Sequence, residues 1–368
     1  MNSSETQNKI TLSTGALKHN ARLFRALLPK AAKLCAVVKA DAYGHGVGFA
    51  VRALANSCDY FAVANNTEAL EVASALSQNK PILVLGALSD HNLPACLERN
   101  IEPTVCNYRQ LKSLLAFAKR QNTTASLHIK LNTGMNRFGT ESELEFSKML
   151  HLITHEPSLV LTGVYTHFGA GDAPESPRTE AQSDRFRSFL SLIPHTLTPI
   201  IHAANTDTLL NFPLLSFHMA RIGIGLYGYC NSKNPNLRPV MGITTKIVQL
   251  NYLLQGANIG YGLNALALRN TTLAVIPIGY ADGLSRALSD NGSFLCHGMR
   301  AKIIGNVCMD SCLLDVSHIK NVRVGSLVTL IGKADSQTAA TLAKYQNTIS
   351  YEVLTGINKH RFTIKEIN

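Results

Sequence analysis

Short apolar runs alternate with helix-spaced hydrophobic patterns through the first two thirds of the chain. Residues 34–38, 60–63, 82–85, 102–105, 126–130, 159–165, 198–201 and 218–221 read as strands, bounded by turn signals. Helical spacing follows most of them, over 67–77, 109–120, 141–155 and 178–192. A helix before the first strand is expected to start at Ser13, whose hydroxyl can cap it, with Leu17, Ala21, Phe24 and Leu28 as its apolar face. Eight strand–helix units predict a (β/α)8 TIM barrel, with an open doubly wound sheet as the alternative.

The pattern changes beyond a Pro/Asn-rich stretch at 230–240. Segments 243–250, 273–278, 301–304, 312–316 and 326–331 are β-like and separated by Gly-containing turns, with one short helix expected over 338–344. This divides the chain into a barrel, 1–240, and a smaller C-terminal all-β domain, 241–368. No internal repeat or low-complexity tract interrupts either part.

Composition narrows the class. With 46% hydrophobic and 16% charged residues among 368, the chain reads as a globular enzyme. The N-terminal residues are polar and lack a signal-peptide apolar region, and no apolar run is long enough for a bilayer. Cytoplasmic localisation without membrane attachment is therefore expected. The eight cysteines are scattered without a CxxC pair, so neither a disulfide framework nor a zinc site is expected. His151 and His155 stand four apart without the HExxH pattern and read as a surface pair, leaving no metal expected. The net charge of +11 comes without a basic run or an aromatic–basic platform. That excludes a nucleic-acid reading and favours small anionic ligands.

Candidate chemistry centres on Lys39, which falls where the first strand runs out, before a loop holding Asp41, Gly44 and Gly46. A partly desolvated ammonium has a depressed pKa, and the free amine attacks carbonyls. In a barrel the chemistry sits at the C-terminal strand ends. Those ends present Lys39, Lys130, His167, His202, Asn205, Thr206 and Arg221. Residues 223–228 match GxGxxG, but a turn-rich segment follows instead of a helix, which argues against dinucleotide binding. The better reading is a barrel phosphate site, with the Gly223 and Ile224 amides and the Thr206 hydroxyl as donors.

Several segments carry a resemblance to a known family. Residues 36–46 read AVVKADAYGHG, 129–139 IKLNTGMNRFG, 166–168 THF and 202–205 HAAN. Residues 221–228 read RIGIGLYG, 277–283 PIGYADG and 307–310 VCMD. In this order and over nearly the whole chain, they resemble the alanine racemases, which are pyridoxal-phosphate enzymes. The resemblance implies two-base racemisation of L- and D-alanine, supplying D-alanine for peptidoglycan. Lys39 would carry the pyridoxal 5'-phosphate covalently and act as base on the D-enantiomer, with Tyr261 as base on the L-enantiomer. Tyr43, Thr206, Gly223 and Ile224 would hold the phosphate, with Asn205 beside them. Arg221 would face the pyridine nitrogen with His202 behind it, and His167 would pack under the ring. Arg137 and the Met309 backbone would position substrate, and Asp172, Tyr280 and Arg286 would line the entrance. Lys130 matches a lysine that is often carbamylated. A cation near Tyr261, either Arg137 or the His167 imidazole, would favour its ionised form. The family also implies a head-to-tail homodimer in which Tyr261 and Met309 complete the partner's site.

Three departures accompany the match. Asn306 stands where many relatives have arginine, the RVPR ending is absent, and Lys359 aligns with a tyrosine that reaches the phosphate in some relatives. The alternatives are a serine, lysine or broad-specificity racemase of the same fold, and a non-catalytic pyridoxal-phosphate-binding single barrel. The second domain with Tyr261 argues against the latter.

Overall fold

The chain enters through β1 (Lys9–Ser13), which Ser13 ends by capping α1 (Thr14–Leu27), its hydroxyl accepting from the Ala16 amide at 3.1 Å. α1 buries Leu17, Ala21 and Phe24, the spacing expected of a face packed on a barrel. The structure is a computed structural model describing residues 7–232, 236–262, 265–332 and 337–368.

Eight parallel strands then close a barrel: β2 (Lys33–Val37), β3 (Tyr60–Val63), β4 (Ile82–Ala87), β5 (Ile101–Val105), β6 (Ala125–Lys130), β7 (Leu159–Tyr165), β8 (Ile200–His202) and β9 (Met219–Ile222). β9 returns to β2 with Lys33 opposite Met219. These are the eight strands expected, shifted at most by two residues at an end. The helices between them, such as Tyr108–Arg120 and Glu143–His155, begin on side-chain caps from Asn107 and Ser142.

The interior of this barrel is unusually polar. Side chains two apart share a strand face, so Glu102 and Thr104, His128 and Lys130, and Gly163 and Tyr165 point the same way. Hydrogen bonds from His128 to Glu102 and His202, and between Thr104 and Tyr165, identify that face as the inner one. All of these side chains are buried.

Beyond the barrel lies a nine-stranded sheet. It uses β10 (Met241–Lys246), β11 (Gln249–Leu253), β14 (Thr271–Ile276), β15 (Ser293–Cys296), β16 (Met299–Ile303), β17 (Cys312–Asp315), β18 (Leu327–Ile331) and β19 (Thr363–Ile367), together with β1. β1 lies between β10 and β19, so the sheet takes a strand from ahead of the barrel and does not start at 241. The single strand expected over 243–250 is two strands. β10 pairs with β1 and β18, and β11 pairs with β14. The apolar run across Ile247 and Val248 hides this break, because both residues keep a backbone bond to a neighbouring segment, through Ser326 and Val275. A small separate ribbon, β12 (Asn258–Ile259) with β13 (Ala265–Leu266), carries Tyr261 between its strands. The expected short helix is present at Ala339–Gln346, capped by Thr338. Among the described residues, no helix is long and apolar enough to cross a membrane.

Candidate active site

Lys39 follows β2 and opens a turn of unexpected hand. Ala40, Asp41, Ala42 and Tyr43 have φ of 51°, 50°, 54° and 54°, a left-handed turn built without glycine. The expected simple loop is therefore a strained one, since left-handed helical backbone costs roughly 1–2 kcal/mol per L-residue. Its polar groups are tied down on several sides. The Asp41 carboxylate accepts from the Val47 amide at 2.6 Å and pairs with Lys359, and Glu68 accepts from the Ala40 amide at 3.0 Å. Gly44 closes the turn where any Cβ would stand 2.3 Å from the Leu354 carbonyl. Strain persists only where surroundings over-determine it, and here it fixes the lysine at the barrel mouth. Lys359, which had no expected role, thus anchors the C-terminal segment to this turn.

The cavity there is about 510 Å³, within the roughly 300–1,000 Å³ range of small-molecule sites. Lys39, Tyr43, Lys130, Arg137, His167, Asn205, Thr206, Arg221, Gly223 and Ile224 line it, with His202 beneath Arg221. Four of these residues carry cationic groups, and no aspartate or glutamate is among the described lining residues. Burial, then Arg137, pulls the Lys39 pKa down. Burial, then Arg221 and Arg137, pulls Lys130 to about 7. The Lys130 amine sits 4.6 Å from the Tyr165 ring centre and the Arg221 guanidinium 5.0 Å from it.

Arg221 is held rigidly. It donates to His202 Nδ1 at 2.7 Å, to the Thr166 and Ala203 carbonyls at 2.8 and 3.0 Å, and to His167 Nδ1 at 3.3 Å. Burial, followed by Arg221, pushes the His167 pKa well below its ordinary value. A less basic imidazole makes His167 the weaker of the two candidates for the cation beside Tyr261.

At the other end, Gly223 has no room for a side chain, since a Cβ would stand 2.3 Å from the Tyr43 hydroxyl. Gly223 and Ile224 open a 3-10 turn, Ile224–Tyr227, whose first amides have no acceptor within the turn itself. The Thr206 hydroxyl sits beside it, accepting from the Gly225 amide at 3.3 Å. The Asn205 side chain caps the helix Thr206–Asn211 through the Thr208 amide. Tyr351 also lines this end, its ring 5.8 Å from that of Tyr43. Nothing local in the sequence marks it, since it sits in the short helix Ser350–Thr355.

Besides His202, five candidate residues do not line this chain's cavity. Tyr261 and Met309 are 73% and 55% exposed on the β-rich part. Asn306 links Tyr261 to Arg286, donating to the Tyr261 carbonyl at 2.9 Å and accepting from Arg286 at 3.4 Å. The Tyr280 and Ala281 amides bond the Cys308 and Met309 carbonyls, both at 3.0 Å. Tyr261, Tyr280, Arg286 and Met309 thus form one connected exposed face, and Asn306 makes bonds where its departure from the family pattern left a question. Asp172 lies apart from them, accepting from Asn231 at 3.0 Å.

Comparison with known proteins agrees with this architecture. The alanine racemase N-terminal domain matches residues 12–231 and the alanine racemase C-terminal domain residues 240–364. Alanine racemase 2 of Oceanobacillus iheyensis is 36% identical, covering 95% of this chain and 90% of its own. The alanine racemase of Methanococcus maripaludis is 34% identical, covering 93% and 94%. Among solved structures, alanine racemase from Bartonella henselae with covalently bound pyridoxal phosphate superposes with a TM-score of 0.91 at 27% identity, covering 98% of this chain and 99% of that one. On the two domain matches and the similarity of the whole chain, this protein belongs to the alanine racemase family of pyridoxal-phosphate-dependent isomerases.

Proposed function

We propose that the chain interconverts L- and D-alanine with pyridoxal phosphate seated in the barrel mouth. The observation that carries this is a partly desolvated lysine amine facing a cavity lined by cations and, among the described residues, no carboxylate, with a buried donor-only arginine at its floor. That donor set fits the cofactor. Its phosphate suits the end formed by Tyr43, Tyr351, Thr206 and the Gly223 and Ile224 amides. Lys39 would hold it covalently, with Asn205 and His167 packed beside it and His202 behind Arg221.

When bound, pyridoxal phosphate supplies the electron withdrawal that makes the alanine Cα proton acidic. The chain supplies the bases. A single fixed base returns a proton to the face it left, whereas one base on each face inverts the centre. Lys39 Nζ holds the proton on one face. Tyr261 Oη, from a partner subunit in a head-to-tail homodimer, holds it on the other. In support, Tyr261 and Met309 are exposed and absent from their own chain's cavity, and Leu254 and Leu268 near the same ribbon are also exposed. Arg137 and the partner's Met309 backbone position the substrate carboxylate, and Asp172, Tyr280 and Arg286 line the way in. Lys130, its pKa pulled by burial and Arg221 to about 7, is the group to carry a carbamate, whose negative charge would sit among the surrounding cations. The eight cysteines are all free, consistent with a reducing cytoplasm, where the product would feed peptidoglycan synthesis.

The test is direct. Load the protein with pyridoxal phosphate, offer single L-amino acids including alanine, serine and lysine, and measure the D-product. Fastest conversion of alanine is expected, and conversion of serine or lysine in preference would replace this reading.

Arg221 gives a further expected result. As a permanent cation and pure donor, it keeps a ring nitrogen unprotonated. Arg221→Glu substitutes an acceptor that favours the protonated nitrogen. Racemisation should slow by about a hundredfold, the scale for removing one aimed donor from a reacting group. Transamination should take a larger share of product, with a new long-wavelength absorption band. An unchanged spectrum and product ratio would remove Arg221 from the ring nitrogen.

A further inference from the structure

Arg221 is a buried cation without a carboxylate partner among the described residues. The nearest negative charge it can reach through bonds lies down the barrel axis. Arg221 Nη1 meets His202 Nδ1 at 2.7 Å, His202 Nε2 meets His128 Nδ1 at 2.9 Å, and His128 Nε2 meets Glu102 Oε2 at 2.8 Å. His128 and His202 are fully buried and Glu102 is 7% exposed.

Only one proton arrangement satisfies these three bonds. A guanidinium only donates, so His202 Nδ1 accepts and its proton sits on Nε2. That proton points at His128 Nδ1, which must accept in turn. The His128 proton is then on Nε2, donated to the Glu102 carboxylate. A doubly protonated His128 is excluded, because its Nδ1–H would oppose the His202 Nε2–H. The close His128–Glu102 contact is therefore a neutral imidazole on a carboxylate, and the charge that Glu102 balances is that of Arg221, two rings away. Donors that all point one way polarise each other in a dry interior.

The surrounding residues make room for this chain of bonds. Gly163 sits where a Cβ would stand 2.2 Å from His128 Nδ1, so only glycine admits the ring. The Tyr165 ring stacks on His202, with centres 4.7 Å apart and planes 8° apart, and is pinned by Thr104 at 2.9 Å.

We infer that Glu102 and His128 are positioning residues for Arg221: the carboxylate accepts at the far end of the Nε2–H chain that the guanidinium begins, anchors both imidazoles and so aims the guanidinium into the cavity. The proton arrangement stands independently of the racemase reading, while its effect on turnover rests on that reading.

Nitrogen NMR of the holoenzyme labelled with 15N-histidine tests it, with His128→Gln and His202→Gln assigning the signals. Both rings should carry the proton on Nε2, protected from exchange. Glu102→Leu should disturb both signals and lower kcat for L-alanine by about tenfold with KM little changed, the scale for outer partners that orient a reacting group. Glu102→Gln keeps an accepting oxygen and should restore the ring signals and most of kcat. A proton on Nδ1 of either ring in the wild-type protein would overturn the inference, even if no Glu102 variant folds. So would Glu102→Leu with unchanged ring signals and kcat. A wild-type protein that does not racemise alanine, yet shows both Nε2 protons, would count against the racemase reading and leave the proton arrangement standing.

Discussion

Lys39→Ala is expected to lower racemisation of L-alanine by at least about a thousandfold and to end covalent attachment of the cofactor. Both effects follow from one amine. It lies just past the end of β2, it lines the cavity, and burial lowers its pKa, which favours the free amine. Lys130 is the other lysine lining the cavity among the described residues, but it lies on β6 against the Tyr165 ring. Treatment with borohydride, which makes a lysine–cofactor link permanent, should add mass to wild-type protein and none to Lys39→Ala. The variant should still fold, because the left-handed turn is held by Asp41, Glu68 and Gly44 and not by the lysine amine. Mass added to Lys39→Ala would show that another lysine carries the cofactor.

The barrel was legible because its strands are short, mostly apolar runs, and in a barrel the polar residues at or just past the ends of β2, β6, β7, β8 and β9 converge. Lys39, Lys130, His167, Thr206 and Arg221, spread over much of the chain, line one cavity for that reason. The β-rich part was harder to read. β1 reads as a lead-in to a helix, yet it pairs between β10 and β19, a choice made by partners more than 200 residues away. The left-handed turn after Lys39 was hidden, since alanine, aspartate and tyrosine have no preference for positive φ and adopt it only under outside restraint. The polar barrel axis was hidden too. Glu102 sits in a strand of apolar neighbours, and nothing local shows that two imidazoles link it to Arg221. Tyr351 reached the cavity from a helix whose own pattern is unremarkable.

Tyr261→Phe is expected to cost about as much as the loss of one general base, on the order of a thousandfold, and to leave cofactor attachment intact. The side chain is exposed on a ribbon away from its own barrel, so removing its hydroxyl disturbs no packing. Its effect on a site it does not line in its own chain is the central claim, because it requires a second copy. Lys39→Ala and Tyr261→Phe, each inactive alone, should be unfolded together, refolded with pyridoxal phosphate and assayed. In a shared-site dimer, each mixed pair has one site with both lesions and one with neither. Random pairing makes half the dimers mixed and half their sites intact, so roughly a quarter of wild-type activity should return. Activity near zero, with wild-type chains refolding normally in parallel, would place both bases on one chain and contradict the account.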